Sequence, residues 1–163
     1  RAGVSKTRFA AASPSAAAQN RPANVRPFFD IVLQSFRATL DGRALFVAPG
    51  DQIIPGIEII DAPGHTPGHI AVRISSGGQQ MIHLVDSVVH HGLGFNPELR
   101  ILFGEDPATA SATRAKLFDQ IATDRTLVMG YHFPWPGLAH IRRTSNGGYE
   151  WVPAVWDWAA QNG

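Results

Sequence analysis

The nine residues Asp61-Ala62-Pro63-Gly64-His65-Thr66-Pro67-Gly68-His69 follow directly on an apolar run, Gly56 to Ile60. Their glycines and prolines predict a fixed turn at the end of a strand, with His65 at its apex. A rigid turn that aims an imidazole out of a sheet edge suits a metal ligand. Downstream, Asp86 closes the apolar run Met81 to Val85, and His132 lies in Gly130-Tyr131-His132-Phe133-Pro134. Nitrogen and oxygen donors fit for a divalent ion therefore stand at the ends of separate apolar segments.

The pattern around that turn predicts a sheet. Ala44 to Ala48 reads as a short strand, Pro49-Gly50-Asp51 as a turn and Gly56 to Ile60 as a second strand. Ile70 to Ile74 alternates as a strand, Gly77-Gly78 reads as a hairpin turn, and Met81 to Val85 as a buried strand. Asp106-Pro107 has the form of an N-cap followed by proline at the first helical position, with Ala110, Leu117, Phe118 and Ile121 along an inner face. Thr126 to Met129 is a strand that delivers His132, and a strand, the turn Asn146-Gly147-Gly148, a second strand and a short packing helix complete the chain. Upstream, Phe29, Leu33, Phe36 and Leu40 mark one face of a helix that opens at Pro27 and stops at Asp41-Gly42. Residues 1–26, rich in Ala, Ser, Gln, Asn and Pro, read as a mobile arm, so the folded portion is expected over 27–163.

Composition narrows the class. At 163 residues the chain has the size of one ordinary domain, and 44% hydrophobic content, 17% charged content and a net charge of +1 give no basic excess to favour nucleic acid. No apolar run approaches the roughly 20 residues of a membrane-spanning helix. A soluble protein is expected, and cytoplasm and periplasm are both compatible with it. Cysteine is absent, so any metal must be held by histidine and carboxylate, the donor set of open, hydrolytic sites more than of closed structural ones. The sequence opens on Arg1, not methionine, and a further upstream portion is expected.

Pro63-Gly64-His65-Thr66-Pro67-Gly68-His69, then Asp86, then His132-Phe133-Pro134-Trp135-Pro136-Gly137 resemble the metallo-β-lactamase superfamily, in particular its branch with methyl parathion hydrolase and lactonase-like enzymes. The similarity runs from about Arg26 to Pro153. It implies an α/β (α+β) fold, the αββα sandwich of two sheets with helices on both outer faces. It also implies His65 as a ligand of a first zinc ion, Asp86 as the bridging and catalytic carboxylate, and His132 as a ligand of a second zinc. The superfamily's His-x-His-x-Asp-His motif is absent, since no histidine precedes His65. The resemblance is thus to the C-terminal half of the domain, and the chain alone is expected to bind zinc poorly and to hydrolyse substrates near background.

Each position also has a plainer reading. His65 would bond to backbone within its turn, Asp86 would cap the turn after its strand, and His132 would fill the core between its aromatic neighbours. His69 reads as structural support for the loop or as an orienting partner for a ligand, His83 as a satisfied core or edge residue, and His140, after Pro136-Gly137, as a residue that could approach the site without being a ligand. His90, His91, Phe95 and Trp135 are candidates for lining a substrate pocket, with solvated loop histidines and buried loop anchors as the alternatives. Two functions follow. One is a hydrolase, incomplete here, for a small ester, lactone or phosphotriester. The other is a catalytically inert half-fold that serves as an association module, because half a sandwich leaves an apolar sheet face that must find a homodimer partner or the missing N-terminal half.

Overall fold

The structure is a computed structural model that describes residues 27, 31, 34, 35, 47–92, 95–96 and 106–155. The expected arm over 1–26, the apolar positions of the first helix, the expected terminal packing helix with Trp156 and Trp158, and the domain boundary at 26–27 lie outside the described residues. Pro27, Ile31, Gln34 and Ser35 are helical, in keeping with that first helix. Backbone contacts divide the chain into two units, Arg1–Ala48 and Pro49–Gly163. The second holds every functional residue discussed below.

Its strands are β1 (Gln52–Ile54), β2 (Ile57–Asp61), β3 (Ile70–Ser76), β4 (Gln79–His83), β5 (Leu127–Met129), β6 (Leu138–Arg143) and β7 (Tyr149–Pro153). A helix, α1 (Pro107–Asp124), lies between β4 and β5 in sequence. The strands form one seven-stranded sheet in the order β1-β2-β3-β4-β5-β6-β7. Neighbours pair antiparallel except β4 and β5, which run parallel with Met81 opposite Leu127, Ile82 opposite Val128 and His83 opposite Met129. A parallel pair needs a crossover, and α1 supplies it.

Two local expectations shift. The first strand among the described residues comes after the Pro49-Gly50 turn; Val47 and Ala48 are outside any strand, and the rest of the expected Ala44 to Ala48 strand lies outside the described residues. Gly50 N–H donates to Ile59 O and Ile59 N–H to Asp51 O, so the chain joins β2 as it leaves the turn, and Gly56, with φ of 86°, makes the link to β2. The buried strand ends at His83 and not at Val85. Leu84 still donates its N–H to Met129 O at 2.9 Å, but Val85 takes φ of 51° and the chain tightens into a 3₁₀ turn over Val85–Ser87.

Helix α1 forms as its sequence predicts. The Asp106 carboxylate accepts hydrogen bonds from the Ala108 and Thr109 backbone N–H groups at 3.1 and 3.0 Å, and Pro107 occupies the first turn where its missing N–H costs nothing. The C-terminus closes on Arg125 in the left-handed region, whose N–H donates to Ile121 O. Leu117, Phe118 and Ile121 are buried against Ile82, Leu84, Val128, Ala139 and Ile141 of the sheet. The aromatic layer continues outward: Phe95 stacks on Phe118 at 5.0 Å between centroids, and Phe133 on Trp151 at 4.1 Å. Arg114, also buried on this helix, is a polar core residue that the apolar spacing does not signal.

Strand register assigns the rest. Glu58, Arg73, Ile82, Val128 and Ala139 share the helix side, where Arg73 donates to Glu58 at 3.2 Å. Ile57, Ile59, Val72, Ile74, Met81, Leu127, Met129 and Leu138 share the opposite side; Ile59 there is buried and the others are half-buried. A sheet with apolar side chains on both faces is the middle layer of a sandwich, and the sheet with α1 is one half of the αββα arrangement.

Phe118 is fully buried at the centre of the helix–sheet contact. Phe118→Ala is expected to cost about 3–5 kcal/mol of stability, read from a denaturant midpoint that falls with little change in slope.

Candidate metal centre

The C-terminal ends of β2, β4 and β5 emerge at one edge of the sheet, and each is followed by one candidate donor: His65, Asp86 and His132. In open sheets this is the edge where ligands collect.

The His65 turn is pinned to α1. Thr113 donates its hydroxyl to Pro63 O at 2.7 Å, and Asp106 N–H donates to Gly64 O at 3.0 Å. Inside the turn, the N–H groups of Gly64 and His69 both donate to Thr66 O. Gly64 has φ of 128°, and a Cβ placed there would stand 2.2 Å from Ala110 N and 2.7 Å from Ala110 Cβ. Only glycine admits this approach of turn to helix. The His132 loop has its own anchor: a Cβ on Gly130 would fall 1.7 Å from the Phe133 ring, so the missing side chain is what lets Phe133 enter the core. The loop closes through Gly130 N–H to Gly137 O, and Tyr131, His132 and Trp135 remain exposed.

These segments bring Asp86 and His132 together. His132 Nε2–H donates to Asp86 Oδ1 at 3.0 Å. Two ligands about 2.0–2.2 Å from one ion stand roughly 3 Å apart, so this pair fits two donors of a single shell with the proton in place of the cation. His65 is half-buried, its ring packed edge-on to His69 at 5.6 Å and not against the Asp86–His132 pair. Among the described residues, no three His, Cys, Asp or Glu side chains are grouped closely enough to hold a metal ion. The donor chemistry fits zinc, and two of the three expected ligands already touch.

The supporting histidines are more ordered than their sequence pattern signals. His69 is buried; its Nδ1–H donates to Ala62 O at 2.9 Å and its Nε2 accepts the Asp86 N–H at 3.1 Å. His83 Nδ1 accepts the Val85 N–H at 3.1 Å, and Tyr131 packs edge-on against its ring. His90 and His91 stack on each other at 4.7 Å, with His91 6.2 Å from Phe133. Phe95 is 5% exposed and belongs to the helix-side core, the loop-anchor alternative, whereas Trp135 is 77% exposed. His140 lies on β6, exposed, on the face away from α1.

Burial holds the pKa of His69 below its ordinary 6.5, with the His65 charge in the same direction and the Ala62 carbonyl and Asp86 opposing. Burial also lowers His83, with Asp86 opposing.

No protein-family model and no curated protein sequence matches the chain. Solved structures do. The hydrolase AbOPH, of the beta-lactamase superfamily, superposes with a TM-score of 0.81 at 25% identity, over 94% of this chain and 55% of its own. AidC, a dizinc quorum-quenching lactonase in complex with a product, N-hexanoyl-L-homoserine, gives 0.79 at 23% identity, over 94% and 54%. A probable metal-dependent hydrolase from Staphylococcus aureus gives 0.58 at 15% identity, over 72% and 43%. The fold is therefore that of metallo-β-lactamase superfamily hydrolases, in part. The chain spans about half the length of the first two structures it matches.

Gly64→Ala is expected to cost roughly 2–4 kcal/mol, because the new methyl group must displace either α1 or the His65 turn; a thermal melt matching the parent would show that the two are not in contact. A second expectation concerns pH. With the folded pKa of His69 and His83 below 6.5, the unfolded chain takes up protons first. Their contribution is thus complete above about pH 6.5 and is lost as pH falls below it towards the folded values. Melting temperatures measured from about pH 7.5 to 5 should fall over that interval.

Proposed function

We propose that this chain carries the Asp86/His132 portion of the active site of a metal-dependent hydrolase acting on a small carboxylic ester, lactone or phosphotriester. The observation that supports this most is the 3.0 Å contact between the His132 and Asp86 side chains at the edge where β4 and β5 end, on a metallo-β-lactamase-like half-fold. His65, Asp86 and His132 would hold zinc. A divalent ion bound there supplies a water of lowered pKa, near about 7, and polarises the scissile oxygen. Asp86 would accept a hydrogen bond from a water at this edge and so hold it in place. Tyr131 and Trp135, exposed on the His132 loop, present apolar surface to a substrate, and His90 and His91 border the same edge.

The sequence carries no His-x-His-x-Asp-His motif, so the remaining ligands must come from elsewhere: from the N-terminal half of such a domain or, in a homodimer, from groups of a second copy. The half-buried apolar side chains on the sheet face away from α1 suit either neighbour, and they also suit the second reading, an inert association module.

Asp86→Ala separates the two. When the chain is combined with a polypeptide bearing the missing motif, the hydrolase reading expects lactone or ester hydrolysis that Asp86→Ala reduces by about 100-fold or more in kcat/KM. The module expects assembly without activity in either form. Elemental analysis of the chain alone should find less than one zinc per chain, and two tightly held metals would refute its incompleteness.

A further inference from the structure

Val85 and Asp86 offer the sheet edge an unusual pair of backbone donors. Val85 is β-branched and holds φ of 51°, a conformation that a residue of this kind rarely adopts and that persists only where the surroundings enforce it. Its N–H donates to His83 Nδ1, and the next N–H, that of Asp86, donates to His69 Nε2. Two successive amides are thus received by two imidazoles from different strands, one at the end of β4 and one just before β3. The second ring is fixed in turn, since His69 Nδ1–H is spent on Ala62 O at the entry to the His65 turn. Tyr131, next to His132, closes over the first ring.

We propose that His69 and His83 are positioning residues: as a pair of imidazole acceptors they clamp the strained Val85–Asp86 segment, aim the Asp86 side chain at His132, and tie it to the His65 turn. His69 is not a metal ligand in this arrangement, because both of its nitrogens are engaged by backbone groups, and His83 Nδ1 is likewise engaged by the Val85 amide. The metal-directed part of the inference rests on the hydrolase reading above; the clamp itself does not.

The geometry sets opposite requirements at the two positions. A glutamine amide oxygen reaches the place of an imidazole Nε2, and an asparagine amide oxygen that of an Nδ1. At position 69 the acceptor for Asp86 is Nε2, so His69→Gln should preserve the bond and His69→Asn should lose it. At position 83 the acceptor for Val85 is Nδ1, so His83→Asn should preserve and His83→Gln should lose. These four variants of the full chain, all short polar replacements, are compared by amide hydrogen exchange at Val85 and Asp86 without metal, and by zinc affinity in chelator competition. The expected result is that exchange at Asp86 is about 10-fold faster in His69→Asn than in His69→Gln, and exchange at Val85 similarly faster in His83→Gln than in His83→Asn. Zinc affinity should be about 10-fold weaker or more in the two losing variants and near the parent in the two preserving ones. Val85→Gly, which removes the strain, should bring His83→Gln back towards the parent. Equal exchange within each pair, or no rescue by Val85→Gly, overturns the clamp. If the parent combined with a polypeptide bearing the missing motif takes up no zinc while the exchange pattern holds, the hydrolase reading falls and the clamp stands. If zinc affinity is unchanged across all variants while exchange follows the pattern, the clamp does not position the site and the proposal fails in that part.

Discussion

The parallel pairing of β4 with β5 is the constraint on which the rest of this structure depends. It is the single parallel contact among the described strands, and it places the ends of two segments at one edge although Asp86 and His132 lie 46 residues apart in sequence. Antiparallel neighbours joined by a hairpin would have put those ends on opposite edges. The crossover works because α1 has a well-formed start at Asp106, a stop at Arg125, and a face whose Leu117, Phe118 and Ile121 fill the space above Ile82 and Val128. The cost of ordering so long a connection is offset by burial of that face.

The helix does a second thing. Its first two turns receive the Pro63 and Gly64 carbonyls, so the same element that permits the parallel pair also fixes the His65 turn. Crossover helix, turn and strand ends are therefore mechanically one piece. Within that piece the polar groups are matched: Ala62 O, the Asp86 N–H and the Val85 N–H each meet an imidazole nitrogen, and the neutral forms of His69 and His83 that this requires are the forms burial favours. The outward groups of the site, by contrast, are exposed: His132, Tyr131 and Trp135 stand on a loop held from beneath by Phe133.

A sheet that is apolar on both faces belongs inside a layered domain. The solved hydrolases that share this fold run to nearly twice this length, with the chain covering 55% and 54% of the first two.

Much of this was legible in the sequence. The Gly77-Gly78 hairpin, the N-cap at Asp106, the strand before His132 and the glycine-bearing turn at His65 are local signals, set by backbone sterics and spacing within a few residues, and they need no partner to be read. The placement of β1 after the Pro49-Gly50 turn was not, because pairing with Ile59 decides it. Nor was the turn at Val85, where a valine takes a conformation that its own propensity opposes and that two imidazoles and the Met129 ladder enforce. Sequence by itself determined which residue types could bind a cation and the apolar segments they follow. Only tertiary structure decided that Asp86 meets His132, that Phe95 belongs to the core, and that His69 spends both nitrogens on backbone, because each depends on the register of segments tens of residues apart.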